Sequence, residues 1–252
     1  MAGYVVLRTH GGLGNQLFQV LLGRLFAERE GRTLLEVHDT RYRHAFVRSS
    51  ALERGHSPSR WQLIVSAARV PKLLQRVLGL GEAPWRLGQT VYLDGYFQRA
   101  DLYSSFSAEK ISNQLQRLAD ELTIGRADVE TCLVHLRVGD FFSDRAMAKA
   151  HVLERLQHIP AGARVMTNEE SLLGEPEVVR AMAERDASLI STNGMSAEEV
   201  LRTMARHQRI DANDSTLTFW AAVLGGSQVG LRNDRLRACR DLLVQHRLAH
   251  EA

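Results

Sequence analysis

A glycine-rich turn near the N-terminus carries residue types that bind phosphate groups. Residues 9–19 read THGGLGNQLFQ and directly follow the apolar run YVVLR. Glycine lets a ligand approach the backbone closely, and a helix that starts near Asn15 would present unpaired N–H groups and a partial positive charge. The turn therefore predicts a ligand site that includes Gly12, Gly14 and Asn15. The alternative is that Asn15 only caps the helix.

The common phosphate fingerprints do not describe this turn. A P-loop reads GxxxxGK followed by serine or threonine, and no lysine stands in that place after Gly14. The dinucleotide fingerprint GxGxxG is met by Gly12 and Gly14, but Leu17 replaces its third glycine. Acidic residues do follow at a suitable distance, at Glu36 and Asp39. The match to the dinucleotide fingerprint is therefore partial.

Arg137 is the candidate cation for a departing phosphate group. It belongs to the apolar run CLVHLRV at 132–138, and open α/β sheets bind their ligands at the carboxyl ends of strands. A guanidinium group stays charged and can bind two phosphate oxygens at once. The alternatives are a surface arginine or an ion pair with Asp140. His135, on the same run, is either a ligand-binding residue or a hydrogen-bonded histidine of the core.

Hydroxyl and amide side chains stand at two further predicted strand ends. Ser215 and Thr216 follow the run 208–212 and open the apolar helix TLTFWAAVL. Hydroxyls and helix N–H groups can bind phosphate there without a metal, or the serine can simply cap the helix. The run 163–167 ends in side chains that could contact the base or the ribose of a nucleotide, namely Thr167, Asn168 and Glu169.

Short apolar runs alternate with segments that have apolar residues at helical spacing. This alternation predicts an α/β fold in which helices cover both faces of parallel sheets. The length fits two such domains, 1–125 and 126–252, divided near 123–130. The predicted strands are 4–8, 33–37, 90–95, 132–138, 163–167, 188–190, 208–212 and 227–231. The predicted helices are 15–30, 107–122, 196–207 and one that opens at 216, with a last one over 234–250.

Composition limits the class of protein. The 252 residues carry a formal net charge of +3 with a pI near 9.1, which suits an anionic ligand such as a nucleotide. The two cysteines, Cys132 and Cys239, form no metal-binding CxxC pair, and Cys132 is predicted to be a buried thiol. The sequence has no secretory-signal pattern and no apolar run of membrane-spanning length. We therefore expect a soluble, cytoplasmic protein.

A basic segment interrupts the α/β pattern. Residues 41–60 contain five arginines against one glutamate, and an apolar, basic stretch follows to about 80. The simpler interpretation is a helical insertion with a solvated basic face. The alternative is a helix that binds the acceptor or rests on the anionic inner face of a membrane.

Five motifs in order resemble those of bacterial α-1,2-fucosyltransferases, glycosyltransferase family 11, in the wider α1,2/α1,6/protein O-fucosyltransferase superfamily. GGLGNQLFQ is similar to the opening motif of that family, and LDGYFQ at 93–98 is similar to its GYFQ element. HLRVGDF resembles HxRRGDY, MTNEES occupies the place of an FSDD-like strand end, and NDSTLTFWAAVL resembles NSTFSWWAAWL. Two residues depart from these patterns: Val138 replaces the second arginine, and Asp214 replaces an asparagine.

The resemblance implies two Rossmann-like domains in the GT-B arrangement, with the acceptor mainly on 1–125 and the GDP-sugar mainly on 126–252. It implies transfer of L-fucose from GDP-fucose to a galactoside-type hydroxyl in α-1,2 linkage, with inversion, as in polysaccharide biosynthesis. Arg137 would contact the diphosphate, and Asn15 and His135 would lie near the sugar and phosphate. Asp140 is the nearest candidate base, but Arg137 would lower its pKa. Glu36 and Asp39 are rivals, so the base stays unassigned.

The chain contains no DxD triplet, the usual oxygen ligand set for a metal-bound nucleotide diphosphate. We therefore expect no metal and no cofactor besides the donor itself. Two alternatives share the fold: a transferase with another GDP-sugar or linkage, and a catalytically silent nucleotide-sugar-binding module. A nucleic-acid binder is disfavoured, because we expect no exposed aromatic residues interleaved with the basic ones and find no reader motif.

Overall fold

The computed structural model describes residues 4–38, 84–138, 142–212 and 214–248. The chain divides into a first unit that ends at Leu115 and a second unit that covers Gln116–Leu248. The basic segment 41–80, Asp39 and Asp140 lie outside the described residues, and the roles suggested for them stay predictions.

The first unit is built on a four-stranded sheet with the order β2-β1-β4-β3. Strands β1, β2 and β4 are parallel, and β3 pairs with β4 in the antiparallel direction at one edge. The strands are β1 (Tyr4–Thr9), β2 (Thr33–His38), β3 (Trp85–Leu87) and β4 (Thr90–Leu93). The helices are α1 (Leu13–Glu30), α2 (Ala100–Tyr103) and α3 (Ala108–Glu121).

Helix α1 is held close to the sheet. Its sequence is apolar almost all round, which is typical of a buried helix, and most of its residues are buried. Val5 and Leu7 of β1 are both fully buried. Gly23 allows the close approach, since a Cβ there would lie 2.9 Å from the Leu7 side chain. The helix ends at Gly31, whose φ of 59° is a left-handed conformation that suits glycine.

The second unit is built on a five-stranded sheet in which every pair is parallel, with the order β7-β6-β5-β8-β9. The strands are β5 (Val129–Leu136), β6 (Arg164–Thr167), β7 (Ser188–Leu189), β8 (His207–Ala212) and β9 (Gln228–Val229). The helices are α4 (Arg145–Gln157), α5 (Pro176–Glu184), α6 (Ala197–Ala205), α7 (Thr216–Gly225) and α8 (Asp234–Leu248).

Capping side chains begin helices α4 and α6 of this unit. Asp144 precedes α4 and accepts a hydrogen bond of 2.7 Å from the N–H of Ala146. Ser196 and Glu199 form a reciprocal capping box at the start of α6. These caps satisfy N–H groups that a helix start leaves without intrahelical partners.

The strand order reverses beside the first strand of each sheet. After β1 the chain forms β2 on one side, and β4 lies on the other side. After β5 it forms β6 and β7 on one side, and β8 and β9 lie on the other. Open α/β sheets bind ligands outside the carboxyl ends of strands at such reversals. The fold therefore singles out the ends of β1 and β4 and the ends of β5 and β8.

The prediction of an α/β fold with parallel sheets is confirmed, and every predicted strand is present with ends that differ by up to three residues. The sequence reading missed β3, α2, α4 and α5, because the first two are very short and the apolar spacing of the latter two was not recognised. The division between units falls within α3. The GT-B arrangement stays a prediction.

Both cysteines are buried thiols, as predicted for Cys132. Burial raises the pKa of the Cys132 thiol. Among the described residues, no helix has the length and apolar character needed to cross a membrane.

Gly225 sets the approach of α7 to α6. A Cβ there would overlap the carbonyl oxygen of Ala205 and lie 3.0 Å from its carbonyl carbon. We expect Gly225→Ala to lower the free energy of unfolding by about 1–3 kcal/mol, as overpacking against rigid backbone does. Chemical denaturation measures this change. Gly125→Ala is the control, since nothing lies within 4 Å of a Cβ there; equal effects of the two substitutions would contradict the packing argument.

Candidate functional site

Arg137 lies one residue beyond the end of β5 in the second unit, where the strand order reverses. Val134, Leu136 and Val138 belong to a buried core cluster with residues of α4 and α5. Because side chains alternate along a strand, Arg137 shares the opposite face with His135.

His135 connects this face to the start of α7. Its Nδ1 lies 3.1 Å from Oγ1 of Thr218, in the first turns of α7, and both side chains are buried. The histidine is thus a hydrogen-bonded residue between β5 and α7. This contact brings the face that carries Arg137 to the N-terminal end of α7.

The N-terminal end of α7 offers N–H groups and hydroxyls. Ser215 is the N-cap residue, but its side chain accepts no capping hydrogen bond within the described part of the chain. It is 1% exposed, and Thr216 is the first helical residue. The first N–H groups of a helix lack intrahelical acceptors and carry partial positive charge, so this end can bind an oxyanion.

Asp214 has a structural role that the sequence did not reveal. Its Oδ1 accepts hydrogen bonds from the N–H groups of Arg232 (2.7 Å) and Asn233 (3.0 Å). Asn233 in turn caps α8 by accepting from the N–H groups of Arg235 and Leu236. The carboxylate therefore joins the loop after β8 to the start of α8, and backbone N–H groups partly offset its charge.

Val138 and Asn168 brace the segment that carries Arg137. The Val138 side chain is fully buried, so the second arginine of the similar motif would stand at a core position here. The backbone N–H of Val138 donates a hydrogen bond to Oδ1 of Asn168 at 2.9 Å. Asn168 follows β6, and this bond ties the ends of β5 and β6 together.

The segment after β6 is held by its own polar atoms. Thr167 is buried, its Oγ1 accepts from the N–H of Glu169, and its carbonyl oxygen accepts from the Thr192 hydroxyl. The Glu170 carboxylate accepts from Ser191, Thr192 and Asn193. Burial works to raise the pKa of Glu170, but these hydrogen bonds prevail and lower it. Glu169 stays partly exposed beside this fixed loop.

In the first unit, the glycine turn is fixed by two buried glutamines of α1. Gln16 donates to the carbonyl oxygen of Gly11 at 2.8 Å. Gln19 accepts from the N–H of His10 at 2.9 Å and donates to the carbonyl oxygen of Gly95 at 3.0 Å. Both glutamines are fully buried. They satisfy the backbone groups of the turn that would otherwise be buried without partners.

The glycines of the turn have different roles. Gly11 has a φ of +82°, and a Cβ there would lie 2.9 Å from Nδ2 of Asn15 and 3.3 Å from the Tyr96 ring. Gly12 is the N-cap residue of α1 and is exposed, and no atom of the described residues lies within 4 Å of the position of a Cβ. Gly14 is buried in the first turn of α1. A ligand can therefore approach the backbone at Gly12.

The loop after β4 contacts this turn. Oδ1 of Asn15 accepts from the Gln98 amide at 2.9 Å. Phe97 is fully buried and has a φ of 54°, an unfavourable conformation for a phenylalanine. The Tyr103 hydroxyl donates to the Phe97 carbonyl oxygen at 3.0 Å. The GGLGNQ and GYFQ motifs, far apart in sequence, thus form one hydrogen-bonded cluster.

A pair of titratable groups lies in the same cluster. Nε2 of His10 is 3.5 Å from Oδ1 of Asp94, and the Arg8 guanidinium is 3.3 Å from Oδ2. The His10 ring meets the Tyr96 ring edge-on, with 4.8 Å between centroids. Arg8 and His10 come from the end of β1, and Asp94 follows β4 directly.

The structure gathers the sequence candidates into two groups. Gly12, Gly14 and Asn15 lie together in the first unit. Asn15 is inside α1 and is not its cap, because the helix already begins at Leu13. Glu36 lies within β2, which ends at His38. In the second unit the candidates at the carboxyl ends of the strands are His135, Arg137, Thr167, Asn168, Glu169, Ser215 and Thr216.

Sequence reasoning missed the residues that hold these groups in place. Gln16 and Gln19 interrupt the apolar surface of α1 directly after the turn, and this interruption was the available signal. The contact between His10 and Asp94 depends on strand pairing, which no local sequence pattern indicates. Within the described part of the chain, no group of three or more histidine, cysteine or acidic side chains could hold a metal ion.

No protein-family model and no curated protein matches the chain. Among solved structures, the chain is similar to fucosyltransferase NodZ from Bradyrhizobium, with 16% identity over 89% of this chain and 93% of that chain and a TM-score of 0.46. It is also similar to NodZ α-1,6-fucosyltransferase co-crystallized with GDP, with the same identity and coverage and a TM-score of 0.49. A likeness at this level does not assign a function.

Gln19 is expected to be essential for the shape of the glycine turn. Gln19→Ala removes partners from two buried backbone groups, which lowers the free energy of unfolding by about 2 kcal/mol or more. Urea denaturation measures the loss. Gln116→Ala is the matched control, because that exposed amide bonds to Asp120 of its own helix and should contribute less than about 0.5 kcal/mol. A loss at Gln19 no larger than that at Gln116 would show that the two bonds do not hold the turn.

We expect Asp214 to stabilise the fold because its Oδ1 accepts hydrogen bonds, and not because the side chain is charged. Asp214→Ala leaves the N–H groups of Arg232 and Asn233 without this acceptor and lowers the free energy of unfolding by about 1–3 kcal/mol. Asp214→Asn keeps the Oδ1 acceptor and is expected to lose less than half as much. If the asparagine variant is as unstable as the alanine variant, the negative charge itself is required.

Proposed function

We propose that the protein is a metal-independent, inverting glycosyltransferase that moves L-fucose from GDP-fucose to a hydroxyl of a galactoside-type acceptor in α-1,2 linkage. The second unit would bind GDP, and the first would bind the acceptor. The sugar, the linkage and the acceptor come from the motif resemblance to bacterial α-1,2-fucosyltransferases.

One observation carries this proposal. A permanent cation, Arg137, and the N-terminal end of the ten-residue helix α7 stand at the carboxyl ends of neighbouring strands at the strand-order reversal. A guanidinium and a helix N-terminus are both complementary to a diphosphate. Together they could stabilise the charge that develops when GDP leaves, which is the task a metal ion performs in other transferases.

The neighbouring residues fit the other parts of the donor. His135 fixes the face of Arg137 against α7, and Asn168 fixes the segment that follows it. Thr167, Asn168 and Glu169 follow β6, one strand further along the sheet, and are suited to contact the ribose or the base. Since Val138 is a core residue, the diphosphate would be held by a single arginine of this motif.

Donor binding is tested by thermal shift in EDTA with GDP, UDP, GDP-fucose and GDP-mannose. We expect stabilisation by GDP and GDP-fucose and little by UDP, because specific binding to the folded state raises its stability. Stabilisation by GDP-mannose alone among the sugars would favour a transferase with another donor. If GDP ligands produce no shift, the protein does not use a guanine nucleotide.

Arg137→Ala tests the site itself. We expect GDP release from GDP-fucose to fall about 100-fold or more, the usual cost of removing one group that stabilises developing charge. Arg180→Ala, at an exposed position of α5, is the control and should keep full turnover. Thermal unfolding of both variants is measured beside turnover, so that a loss of activity is separated from a loss of folding. Full turnover by Arg137→Ala, or a requirement for Mn²⁺, would rule out the arginine-based mechanism.

A further inference from the structure

Tyr96 presents an aromatic surface at the end of the first sheet. Its side chain is 38% exposed, and among the described residues of the first unit it is the one large apolar side chain on the surface. Tyr96 stands in the loop after β4, close to the turn after β1. The order of the sheet reverses between these two strands, and open α/β sheets bind ligands at such a place. The proposed donor site does not use this ring.

We propose that the ring of Tyr96 is the platform on which the galactose ring of the acceptor lies. The inference rests on the proposed glycosyl transfer and deepens it, because it names a residue where the motif resemblance implied only a domain. All the contacts that carry it lie within the first unit.

A strained residue follows the ring. Phe97 is fully buried and has a φ of 54°, which is unfavourable for a phenylalanine. Such conformations persist only where the surrounding structure imposes them, and they cluster at ligand-binding and active sites. Within this loop Gly95 and Phe97 are buried, whereas Tyr96 between them is exposed. The loop thus keeps one aromatic ring outside the core and places the other inside it.

Buried side chains hold the loop on both sides of the ring. Gln19 of α1 donates to the carbonyl oxygen of Gly95 at 3.0 Å. The hydroxyl of Tyr103, the last residue of α2, donates to the carbonyl oxygen of Phe97 at 3.0 Å, and both of these side chains are fully buried. The residues before and after Tyr96 are therefore fixed to helices. A ring that is fixed in advance loses less conformational entropy when a ligand binds than a mobile ring does.

The ring lies directly on the glycine turn. A Cβ at Gly11 would lie 3.3 Å from the Tyr96 ring and 2.9 Å from Nδ2 of Asn15, so the ring and this amide are neighbours. The His10 ring meets the Tyr96 ring edge-on, with 4.8 Å between centroids. Gly12, the residue after Gly11, is exposed. The accessible part of the ring therefore adjoins the exposed backbone of the turn.

An aromatic ring beside fixed amide groups suits a sugar. The faces of an aromatic ring are electron-rich, and the C–H groups of a pyranose carry a slight positive charge, so the two attract each other. The Gln98 amide donates to Oδ1 of Asn15 at 2.9 Å. Each of these amides can make further hydrogen bonds, so a sugar hydroxyl can bond to them as well. Small-ligand sites are built in this way, from apolar surface and a few fixed polar groups.

The charges beside the ring favour a neutral ligand. The Arg8 guanidinium lies 3.3 Å from Oδ2 of Asp94, and Nε2 of His10 lies 3.5 Å from the other carboxylate oxygen. The carboxylate is thus balanced by a permanent cation. A nucleobase can also stack on an aromatic ring, but it would bring a diphosphate that needs a cation of its own. A galactoside is neutral and needs none.

The experiment compares wild type with Tyr96→Phe, Tyr96→Leu and Tyr96→Ala, and with Met147→Ala as control, at a position of the second unit that is 60% exposed. The affinity for lactose is measured by saturation-transfer NMR, and the affinity for GDP is measured by calorimetry. We expect Tyr96→Phe, which keeps the ring, to bind lactose within about threefold of wild type. Tyr96→Leu and Tyr96→Ala should bind lactose about tenfold more weakly, because the aromatic contact is lost. The affinity for GDP should stay within about twofold of wild type in every variant.

Turnover gives a second readout. GDP release from GDP-fucose is followed over a range of lactose concentrations. In Tyr96→Leu the KM for lactose should rise about tenfold, while the KM for GDP-fucose stays near the wild-type value. In the NMR spectra of wild type, saturation should reach the C–H protons on one face of galactose more strongly than those on the other, because one face contacts the ring. Thermal unfolding of each variant separates a loss of binding from a loss of folding.

Tyr103 is expected to position the ring through the loop. Tyr103→Phe removes the hydroxyl that bonds to Phe97 and should raise the KM for lactose about threefold. In the Tyr96→Leu background the same substitution should raise this KM no further, because the hydroxyl acts through the ring. Equal effects in both backgrounds would overturn the positioning role of Tyr103.

The outcomes distinguish this inference from the proposed function. Lactose binding by Tyr96→Leu equal to that of wild type would overturn the platform, and so would an equal loss of GDP affinity, which would assign the ring to the donor. Wild type that binds GDP and not lactose would also overturn the platform and leave the donor half of the proposed function intact. Wild type that binds lactose through Tyr96 and does not bind GDP would sustain the sugar platform and overturn the transferase.

Discussion

The burial of both faces of the parallel sheets is the constraint on which the rest of the structure depends. Val5 and Leu7 in the first unit, and Leu133 and Leu136 in the second, have no contact with water, because helices cover the sheets. Polar groups with chemical roles can then stand only where strands end and N–H groups lose their partners. The reversals of strand order select two of these ends, and the polar clusters of both units are found there.

Hydrogen bonds made by amide and carboxylate side chains hold the segments at these strand ends in fixed positions. Gln19 joins the turn after β1 to the loop after β4, and Asn168 joins the ends of β5 and β6. Asp214 does the same for the loop after β8. Each of these hydrogen bonds joins one strand end to another segment. A side chain thus provides the hydrogen-bond partner that a neighbouring strand no longer provides. Ligand-binding groups on loops can thus be held almost as rigidly as groups on strands.

The two units carry different polar clusters at the ends of their strands. The second unit combines Arg137 with a helix N-terminus, which suits an anionic leaving group. In the first unit, Nε2 of His10 lies 3.5 Å from Oδ1 of Asp94, beside the ring of Tyr96. Val138 fits the same pattern, since burial at that position excludes a second charge.

The sequence by itself determined the α/β class, nearly all strands, the burial of Cys132 and the positions of Arg137, Ser215 and Thr216 at element ends. Local apolar periodicity and glycine placement encode these features. Only the tertiary structure decided that Asn15 is bonded to Gln98, that Asp214 caps backbone N–H groups, and that His10 meets Asp94. These contacts join residues far apart in the chain, and they arise from the order in which parallel strands pair. No local sequence pattern encodes the order of the strands. The partner of each polar side chain is therefore decided only when the sheets assemble.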